Sequence, residues 1–248
     1  MGIAQRIREE LVPLARGTRV KEVRVGLTYT AVMLEDARTG VAFTFPQSVK
    51  KGCRLFSSLT PLAGRDTSEV LNLLESGDEI EMAVGIATAN ALANARNEGV
   101  EEGDIMEYLS IQPGDKVGMV GHFAPLLPKL REAAAKVLIF ERIRERQGDL
   151  LPEQEAFRIL PECQIALITA TSILNHTLER LLGSVRSCRQ VVVLGATTPL
   201  VSSAFEGTPV TLLSGIVVTD PEGILRIVSE GGGMRLFKGH IRKVNLKL

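Results

Sequence analysis

The second half of the sequence alternates short apolar segments with helical patterns, and no other feature constrains the fold as strongly. Strands are predicted at Lys116–Val120, Lys136–Phe140, Gln164–Ile168, Gln190–Leu194 and Pro209–Leu213. Helices fit between them, at Pro125–Ala135, Pro152–Leu160, Ser172–Leu182 and Val201–Glu206. Continuous apolar strands joined through helices indicate a parallel sheet covered on both faces, because each crossover connection places its helix on a face. This half is therefore predicted to be Rossmann-like.

The first half has a different pattern. After an amphipathic helix that Gly17 stops, three segments are rich in β-branched residues and read as an antiparallel meander: Val20–Leu27, Thr30–Leu34 and Val41–Phe45. A short helix is predicted at Thr67–Leu74 and a longer one at Ile80–Asn97. Small residues dominate the longer helix, so we expect another backbone or a ligand to approach it closely.

A Pro-Gly turn at Pro113-Gly114 separates the two patterns. We therefore predict an α/β protein with two domains: an α+β domain over residues 1–110 and a Rossmann-like domain, with helices on both faces of a parallel sheet, over residues 111–248. A last helix is expected at Pro221–Ser229. Beyond it lies a basic tail, Lys238–Lys247, in which His240 is expected to be solvated.

The composition argues against several classes of partner. The 248 residues carry 29 Lys and Arg against 29 Asp and Glu, with no Trp and two Tyr, so we expect no nucleic-acid partner. No apolar run approaches a membrane span of about 18 residues, so we expect no membrane partner. The cysteines Cys53, Cys163 and Cys188 have no paired spacing, which favours a reducing cytoplasm and makes a preformed zinc site improbable.

Ligands of such sheets bind outside the carboxyl ends of the strands, so the residues that follow each strand are candidates for a site. They are Gly121-His122-Phe123, Glu141-Arg142, Thr169–Ser172, Gly195–Pro199 and Ser214-Gly215. Every predicted strand end is small, polar or charged. Gly121 and Gly195 are expected to supply backbone N–H donors, and Thr171, Asn175 and Thr198 are expected to orient a ligand by hydrogen bonds.

Glu141 and His122 are the candidate catalytic residues. Glu141 ends the second strand 20 residues after Gly121, where dinucleotide-binding folds place the acid that binds a ribose, but the loop GMVGHF lacks the GxGxxG signature. His122 could bind a metal ion or transfer a proton, or it could satisfy a loop carbonyl. Asn175 is a better pocket candidate than His176, which is expected on a helix surface.

Seven segments are informative as an ordered set. VRVGLTYTAVML and GVAFTFP are followed by VGMVGHFAPL, VLIFER, ITATSILNHTLERLL, VVVLGATTPL and EGGGMRLF. Over nearly the whole chain they resemble a prokaryotic family of unknown function, the "putative heavy-metal chelation" family, preceded by a partner domain similar to the N-terminal domain of enolases. The resemblance implies a cytoplasmic protein that binds or processes a heavy metal or a metal-chelating small molecule in a cleft between two domains. The cofactor stays unknown at this point, with a divalent or heavy-metal ion as the candidate that the resemblance offers.

Carried over residue by residue, the resemblance marks Thr28, Tyr29, Gly121, His122, Phe123, Pro125, Glu141, Thr171, Asn175, Gly195, Thr198 and Pro199. The family pattern commonly has an aromatic residue at position 122 and a small residue at position 176, which puts in doubt any mechanism that requires either histidine. The predicted ligand-binding residues are therefore Tyr29, Gly121, His122, Phe123, Glu141, Thr171, Asn175, Gly195 and Thr198.

Three hypotheses for the function remain open. The leading one is a protein, catalytic or not, that binds a small molecule or metal chelate between the two domains, with Tyr29 reaching across from the first domain. The second is a Rossmann-type enzyme that uses S-adenosylmethionine or a dinucleotide, with Glu141 on the ribose. The third is a non-catalytic homo-oligomer in which the helix Ile80–Asn97 packs between subunits or domains.

Overall fold

The computed structural model describes residues 1–48, 60–95 and 99–248; Cys53 and Asn97 lie outside these ranges. The elements of the first half are α1 (Ile3–Ala15), β1 (Val20–Val25), β2 (Tyr29–Leu34), β3 (Thr39–Phe43), α2 (Thr67–Leu71) and α3 (Glu79–Ala93). Those of the second half are β4 (Val100–Glu102), β5 (Lys116–Val120), α4 (Leu127–Ala133), β6 (Lys136–Glu141), β7 (Leu150–Pro152), α5 (Glu153–Ile159), β8 (Ile165–Thr169), α6 (Thr171–Leu174), α7 (Leu178–Ser184), β9 (Gln190–Leu194), β10 (Leu212–Val218), α8 (Pro221–Ser229) and β11 (Ile241–Lys247). Short 3₁₀ helices lie at Pro46–Ser48, Asn72–Glu75, Ile105–Tyr108, Ala124–Leu126, Leu160–Glu162 and Ser202–Phe205.

The larger sheet of the described residues has the strand order β4-β11-β10-β9-β8-β5-β6-β7. The strands from β10 to β7 are parallel, whereas β11 and β4 run antiparallel at the opposite edge. In chain order the parallel strands follow the Rossmann sequence 3-2-1-4-5-6, and the connections reverse direction between β5 and β8. The predicted α/β class is therefore confirmed.

Both faces of the larger sheet are buried. Along β5, Val117 and Met119 pack with Leu127 and Leu130 of α4, whereas Val120 packs in the main core on the other face. This period of two is expected of a strand covered on both sides. The main core also contains residues of α1 and α3, so the two halves of the chain share one hydrophobic core.

Several elements differ from the sequence-based expectation. The strand predicted at Pro209–Leu213 is observed at Leu212–Val218, because pairing with β11 extends it well beyond its short parallel pairing with β9. The predicted basic tail is β11, whose Val244 and Asn245 are buried against its neighbours. Strand β7 was not predicted, and its three residues are too few to show a period. The helix predicted at Ser172–Leu182 is interrupted, as described below.

A three-stranded antiparallel sheet, β1-β2-β3, carries α3 on one face. All residues of α3 except Glu79 and Glu81 are buried, which is expected of a helix that is apolar all round. The expected close backbone approach is present, since Gly40 of β3 lies directly against α3. Because α3 is covered by elements of its own chain, it presents no free face for a second subunit, and homo-oligomer formation stays a prediction.

Strand β4 belongs to the larger sheet, although its residues lie in the region that the sequence assigns to the first domain. The predicted boundary between two domains at residue 110 stays a prediction. Within the described ranges, none of the helices combines the length and the apolar character needed to cross a bilayer.

Candidate functional site

The carboxyl ends of the parallel strands border a cavity of about 760 Å³. Its opposite wall comes from the small sheet, through Tyr29 of β2, Phe43 of β3 and Phe45 just beyond it. We refer to this cavity as the cleft. It lies at the position where open α/β sheets bind their ligands, outside the strand ends and across the point at which strand order reverses.

The structure brings most of the predicted ligand-binding residues together on the wall of the cleft. They are Tyr29, Gly121, His122, Phe123, Glu141, Thr171, Asn175 and Gly195. Thr198 is the exception, and its prediction is corrected: the residue is fully buried and its carbonyl accepts a hydrogen bond from Asn94. The neighbouring Thr197 lines the cleft instead, and its hydroxyl accepts a hydrogen bond from the backbone N–H of Phe43 at 3.0 Å.

Gly121 and Gly195 do not offer the free backbone N–H donors that were expected of them. The N–H of Gly121 donates to the Phe140 carbonyl at 2.8 Å and that of Gly195 donates to the Ser214 carbonyl at 3.0 Å, so neither is a free donor. Both residues have positive φ, +90° and +115°, which favours glycine. A Cβ at Gly121 would also lie 2.9 Å from the Cβ of Thr169. Glycine is needed here for chain direction and close packing of the strand ends.

Aromatic rings form two sides of the cleft. The Phe123 ring approaches both Gly121 and Gly195, at 3.5 and 3.7 Å from where their Cβ atoms would be. It therefore covers the crevice where the pyrophosphate of a dinucleotide lies in Rossmann enzymes. On the opposite side, Tyr29 and Phe43 meet edge to face with centroids 5.7 Å apart, and Phe45 continues the row at 5.1 Å from Phe43.

The end of the cleft at β6 and β7 carries two carboxylates. Glu141 pairs with Pro152 across the parallel strands, so Glu153, the next residue, lies beside it. Burial raises the pKa of Glu153 and the Glu141 charge adds to the rise, whereas Arg142 and a hydrogen bond from Thr177 oppose it.

Arg142 connects the β6–β7 end of the cleft to the first half of the chain. Its guanidinium lies 4.7 Å from the Phe45 ring centroid and pairs with Glu79 at 3.3 Å.

Asn175 lies next to this acidic end and has a defined amide orientation. Its Oδ1 accepts hydrogen bonds from the Thr177 backbone N–H at 3.2 Å and from the Thr177 hydroxyl at 2.7 Å. Because a backbone N–H can only donate, the amide oxygen is the atom turned to Thr177. The Nδ2 group is left as the donor of this side chain, on a residue that lines the cleft.

The three histidines have different surroundings. His122 is exposed on the cleft wall. His176 is not on a helix surface, because it has φ +57° in the turn that separates α6 from α7. His240 is not simply solvated, since its Nδ1 lies 2.7 Å from Oδ2 of Asp220, the N-cap of α8.

Comparison with known proteins places the chain in a family. A profile described as "Putative heavy-metal chelation" matches residues 104–247, and a second profile with the same description matches residues 8–93. The chain belongs to this chelation family. It is also similar, at 24% identity over 238 residues, to an uncharacterized protein of Methanocaldococcus jannaschii; the match covers 93% of this chain and 90% of that relative.

Two crystal structures of chelation-family proteins with unknown function share the fold. The protein from Desulfitobacterium hafniense DCB-2 is 28% identical, with a TM-score of 0.81 over 98% of this chain and 99% of that chain. The protein from Pyrococcus horikoshii is 24% identical, with a TM-score of 0.86 over 99% of this chain and 100% of that chain. The similarity extends over both halves of the sequence.

The chelation-family description implies a heavy-metal ion, and the donor groups of the described residues do not fit a bare one. Within this part of the chain, no three side chains of the His, Cys, Asp or Glu type are grouped so that they could hold a metal ion together. The thiols of Cys163 and Cys188 do not line the cleft; they lie near the carbonyls of Ile159 and Leu160. Soft thiolate ligands, which heavy metals prefer, are therefore not supplied to the cleft by these two residues.

Neither Cys163 nor Cys188 is expected to react readily with a thiol reagent in the native chelation-family protein. Burial raises the pKa of Cys163 to about 11 and that of Cys188 to about 12, so both remain thiols at about pH 8. The measurement is DTNB labelling of a Cys53→Ser variant, with and without guanidinium chloride. We expect slow labelling of the native protein and rapid labelling of both thiols after unfolding. Rapid labelling under native conditions would contradict this burial.

Sequence reasoning missed several residues on the cleft wall: Phe43, Phe45, Glu153, Met234, Arg235 and Lys243. The spacing of Phe43 and Phe45 was a usable signal, because residues two apart on an extended segment share a face. Lys243 carried no such signal, since its position was read as part of a tail.

Proposed function

We propose that this protein binds a planar organic small molecule in the cleft, and that a metal ion enters only as part of such a molecule, as a metal chelate. The observation that carries the proposal is the distribution of aromatic residues. The sequence contains eight Phe, two Tyr and no Trp, and within the described ranges five of these aromatic residues border this one cavity: Tyr29, Phe43, Phe45, Phe123 and Phe140, the last with its side chain fully buried in the core.

The size and shape of the cleft support an organic ligand. A volume of about 760 Å³ lies within the range of roughly 300–1,000 Å³ typical of small-molecule sites. Phe123 on one side and the row of Tyr29, Phe43 and Phe45 on the other offer ring faces and edges to a flat molecule. Offset or edge-to-face contacts of this kind contribute about 0.5–1.5 kcal/mol each beyond the area they bury.

The polar groups of the cleft are suited to orienting such a molecule. Asn175 supplies an amide donor, and Glu141 and Glu153 supply acceptors at the same end. A heteroaromatic ligand with acceptor and donor atoms in its ring system could accept a hydrogen bond from Asn175 and donate hydrogen bonds to the two carboxylates. A chelate is compatible with this set because its metal ion already has ligands from the organic molecule and needs few from the protein.

Ligand titrations followed by thermal unfolding and calorimetry test the proposal. The probes are 8-hydroxyquinoline and 1,10-phenanthroline, which are planar chelators, their Zn²⁺ complexes, and Zn²⁺ alone. At a hundredfold excess over Kd, a planar probe is expected to stabilise the native state by about 2.7 kcal/mol. Zn²⁺ alone is expected to give no saturable stabilisation.

A matched pair of variants locates the binding. Phe123→Leu removes a ring on the cleft wall, and we expect it to weaken the planar probes by roughly 2- to 10-fold. Phe157→Leu removes a ring that lies outside the cleft, under Arg180 at 3.8 Å, and is expected to leave affinity unchanged. Stabilisation by Zn²⁺ but by none of the planar probes would contradict the proposal, as would equal effects of the two variants.

A further inference from the structure

The cations of β11 differ in their pairing. Arg242 pairs with Glu102 at 3.4 Å and Lys247 pairs with Glu101 at 3.4 Å. Lys243 lines the cleft, and among the described residues its side chain makes neither a hydrogen bond nor an ion pair. The unpaired cation of this strand is thus the one that faces the cavity.

Lys243 has a defined position within the cleft. It stands opposite Ile216 in the antiparallel pairing of β10 with β11, and directly opposed residues project from the same face of a sheet. Ile216 lines the cleft and packs in an apolar cluster with Phe237, Met234 and Tyr29. Lys243 therefore projects from the same face of the sheet as Ile216, at the β10–β11 end of the cleft.

A glycine-rich loop brings a second cation to the same end. The Thr28 hydroxyl lies within hydrogen-bond distance of the Gly231 and Gly232 carbonyls, at 3.0 and 2.9 Å, and so anchors this loop to the turn before β2. At Gly233 a Cβ would lie 3.5 Å from the Tyr29 ring. Arg235 follows two residues later, lines the cleft, and in the described part of the chain also has no side-chain hydrogen bond or ion pair.

Tyr29 is the third polar residue at this end of the cleft, after Lys243 and Arg235. Its ring is held by Phe43 and by Phe237, with the Phe237 centroid at 5.0 Å. Burial raises its pKa to about 12, so the hydroxyl stays neutral and can donate a hydrogen bond at physiological pH. Within the described ranges this hydroxyl has no hydrogen-bond partner.

Asp104 is an acidic group near this end, and its carboxylate is already engaged by other partners. Asp104 is attracted by Lys243, but its carboxylate is already bound by Lys129 at 2.9 Å and by the Met106 N–H at 3.1 Å. The carboxylates on the cleft wall, Glu141 and Glu153, belong to the opposite end. From β11 to β6 there are five strand spacings of about 4.8 Å, or roughly 24 Å between backbones.

We propose that Tyr29, Arg235 and Lys243 form a subsite that binds an oxyanion of the ligand, so that the planar molecule carries a carboxylate or similar group at the β10–β11 end. This inference rests on the proposed function of the cleft and adds the charge and the orientation of the ligand. The two cations attract the anion, and the tyrosine hydroxyl donates to it.

A matched pair of probes tests the subsite by calorimetry: quinoline-2-carboxylate and quinoline-2-carboxamide, which differ mainly in charge. The wild-type protein is expected to prefer the carboxylate by about tenfold or more, and raising the ionic strength should reduce this preference. In the double variant Arg235→Met/Lys243→Met the preference should disappear while carboxamide affinity is kept. Methionine retains an unbranched side chain at these exposed positions, so we expect the variant to fold.

Controls separate the subsite from the cleft. Arg242→Met removes a paired cation next to Lys243 and is expected to keep the carboxylate preference; Tyr29→Phe should weaken carboxylate binding without unfolding the protein. If both probes bind wild type equally, or the double variant keeps the preference, the subsite is overturned although the cleft still binds planar molecules. If neither probe binds, the proposed function fails with it.

Discussion

The variant Gly40→Ala is expected to lose about 4 kcal/mol or more of its free energy of unfolding. A Cβ at position 40 would lie 2.2 Å from the Ala87 carbonyl oxygen, 2.3 Å from the Ala91 nitrogen and 2.8 Å from the Asn90 carbonyl carbon. These are backbone atoms, so a rotamer change cannot relieve the overlap and α3 must move away from β3. Urea unfolding followed by circular dichroism measures the loss.

Gly183→Ala is the matched control for this substitution. Gly183 lies in α7, and a Cβ there would meet no atom within 4 Å. Because glycine inside a helix costs about 0.5–1 kcal/mol relative to alanine, we expect this variant to be slightly more stable than wild type. A Gly40→Ala protein with the unfolding midpoint of wild type would show that β3 and α3 do not pack as described.

The second large effect is expected for Asn94→Ala, which should destabilise the protein by about 3 kcal/mol or more. Asn94 lies at the end of α3 and is 3% exposed. Its Nδ2 donates to the Thr198 carbonyl at 3.0 Å and the Ile216 carbonyl at 3.1 Å, and its Oδ1 accepts from the Leu200 N–H at 2.9 Å. Alanine would leave these buried backbone groups unpaired, and a chemical denaturation curve measures the cost.

Two further variants make this test specific. Asn72→Ala removes an exposed asparagine that binds Arg8, and we expect a change within about 1 kcal/mol. Asn94→Asp keeps the acceptor for Leu200 but turns a carboxylate toward two carbonyl oxygens. Its folded-state pKa should be raised, so the destabilisation should be smallest at acid pH and grow as pH rises. An Asn94→Ala protein as stable as Asn72→Ala would contradict the role assigned to Asn94.

Asn94 also shows where sequence reasoning reached its limit. In the sequence it is a polar residue on a helix of small residues, a pattern equally compatible with a pocket, a surface or an internal hydrogen bond. The structure shows that its partners lie more than 100 positions later in the chain. Local periodicity contains no information about such partners, so the ambiguity could not be resolved without the fold.

The strands of the second half were easier to predict. The positions of β5, β6, β8 and β9 follow closely from apolar runs bounded by turn residues, because strands buried on both faces need apolar side chains at every position. β10 was misplaced because it is long and pairs mainly with an antiparallel partner, and β7 was missed because it is short. Because β7 was missed, Glu153, which follows it directly, was not recognised as a residue at a strand end.

The sequence by itself determined the α/β class and the small and polar character of the strand ends, since the chemistry of strands and turns is local. Only the tertiary structure decided which of those ends face one cavity, that Thr197 rather than Thr198 lines it, and that Arg235 and Lys243 line it together with Tyr29. The physical reason is that strand order and the docking of the small sheet arise from burial of a core shared by distant segments, and no local pattern in the chain specifies that arrangement.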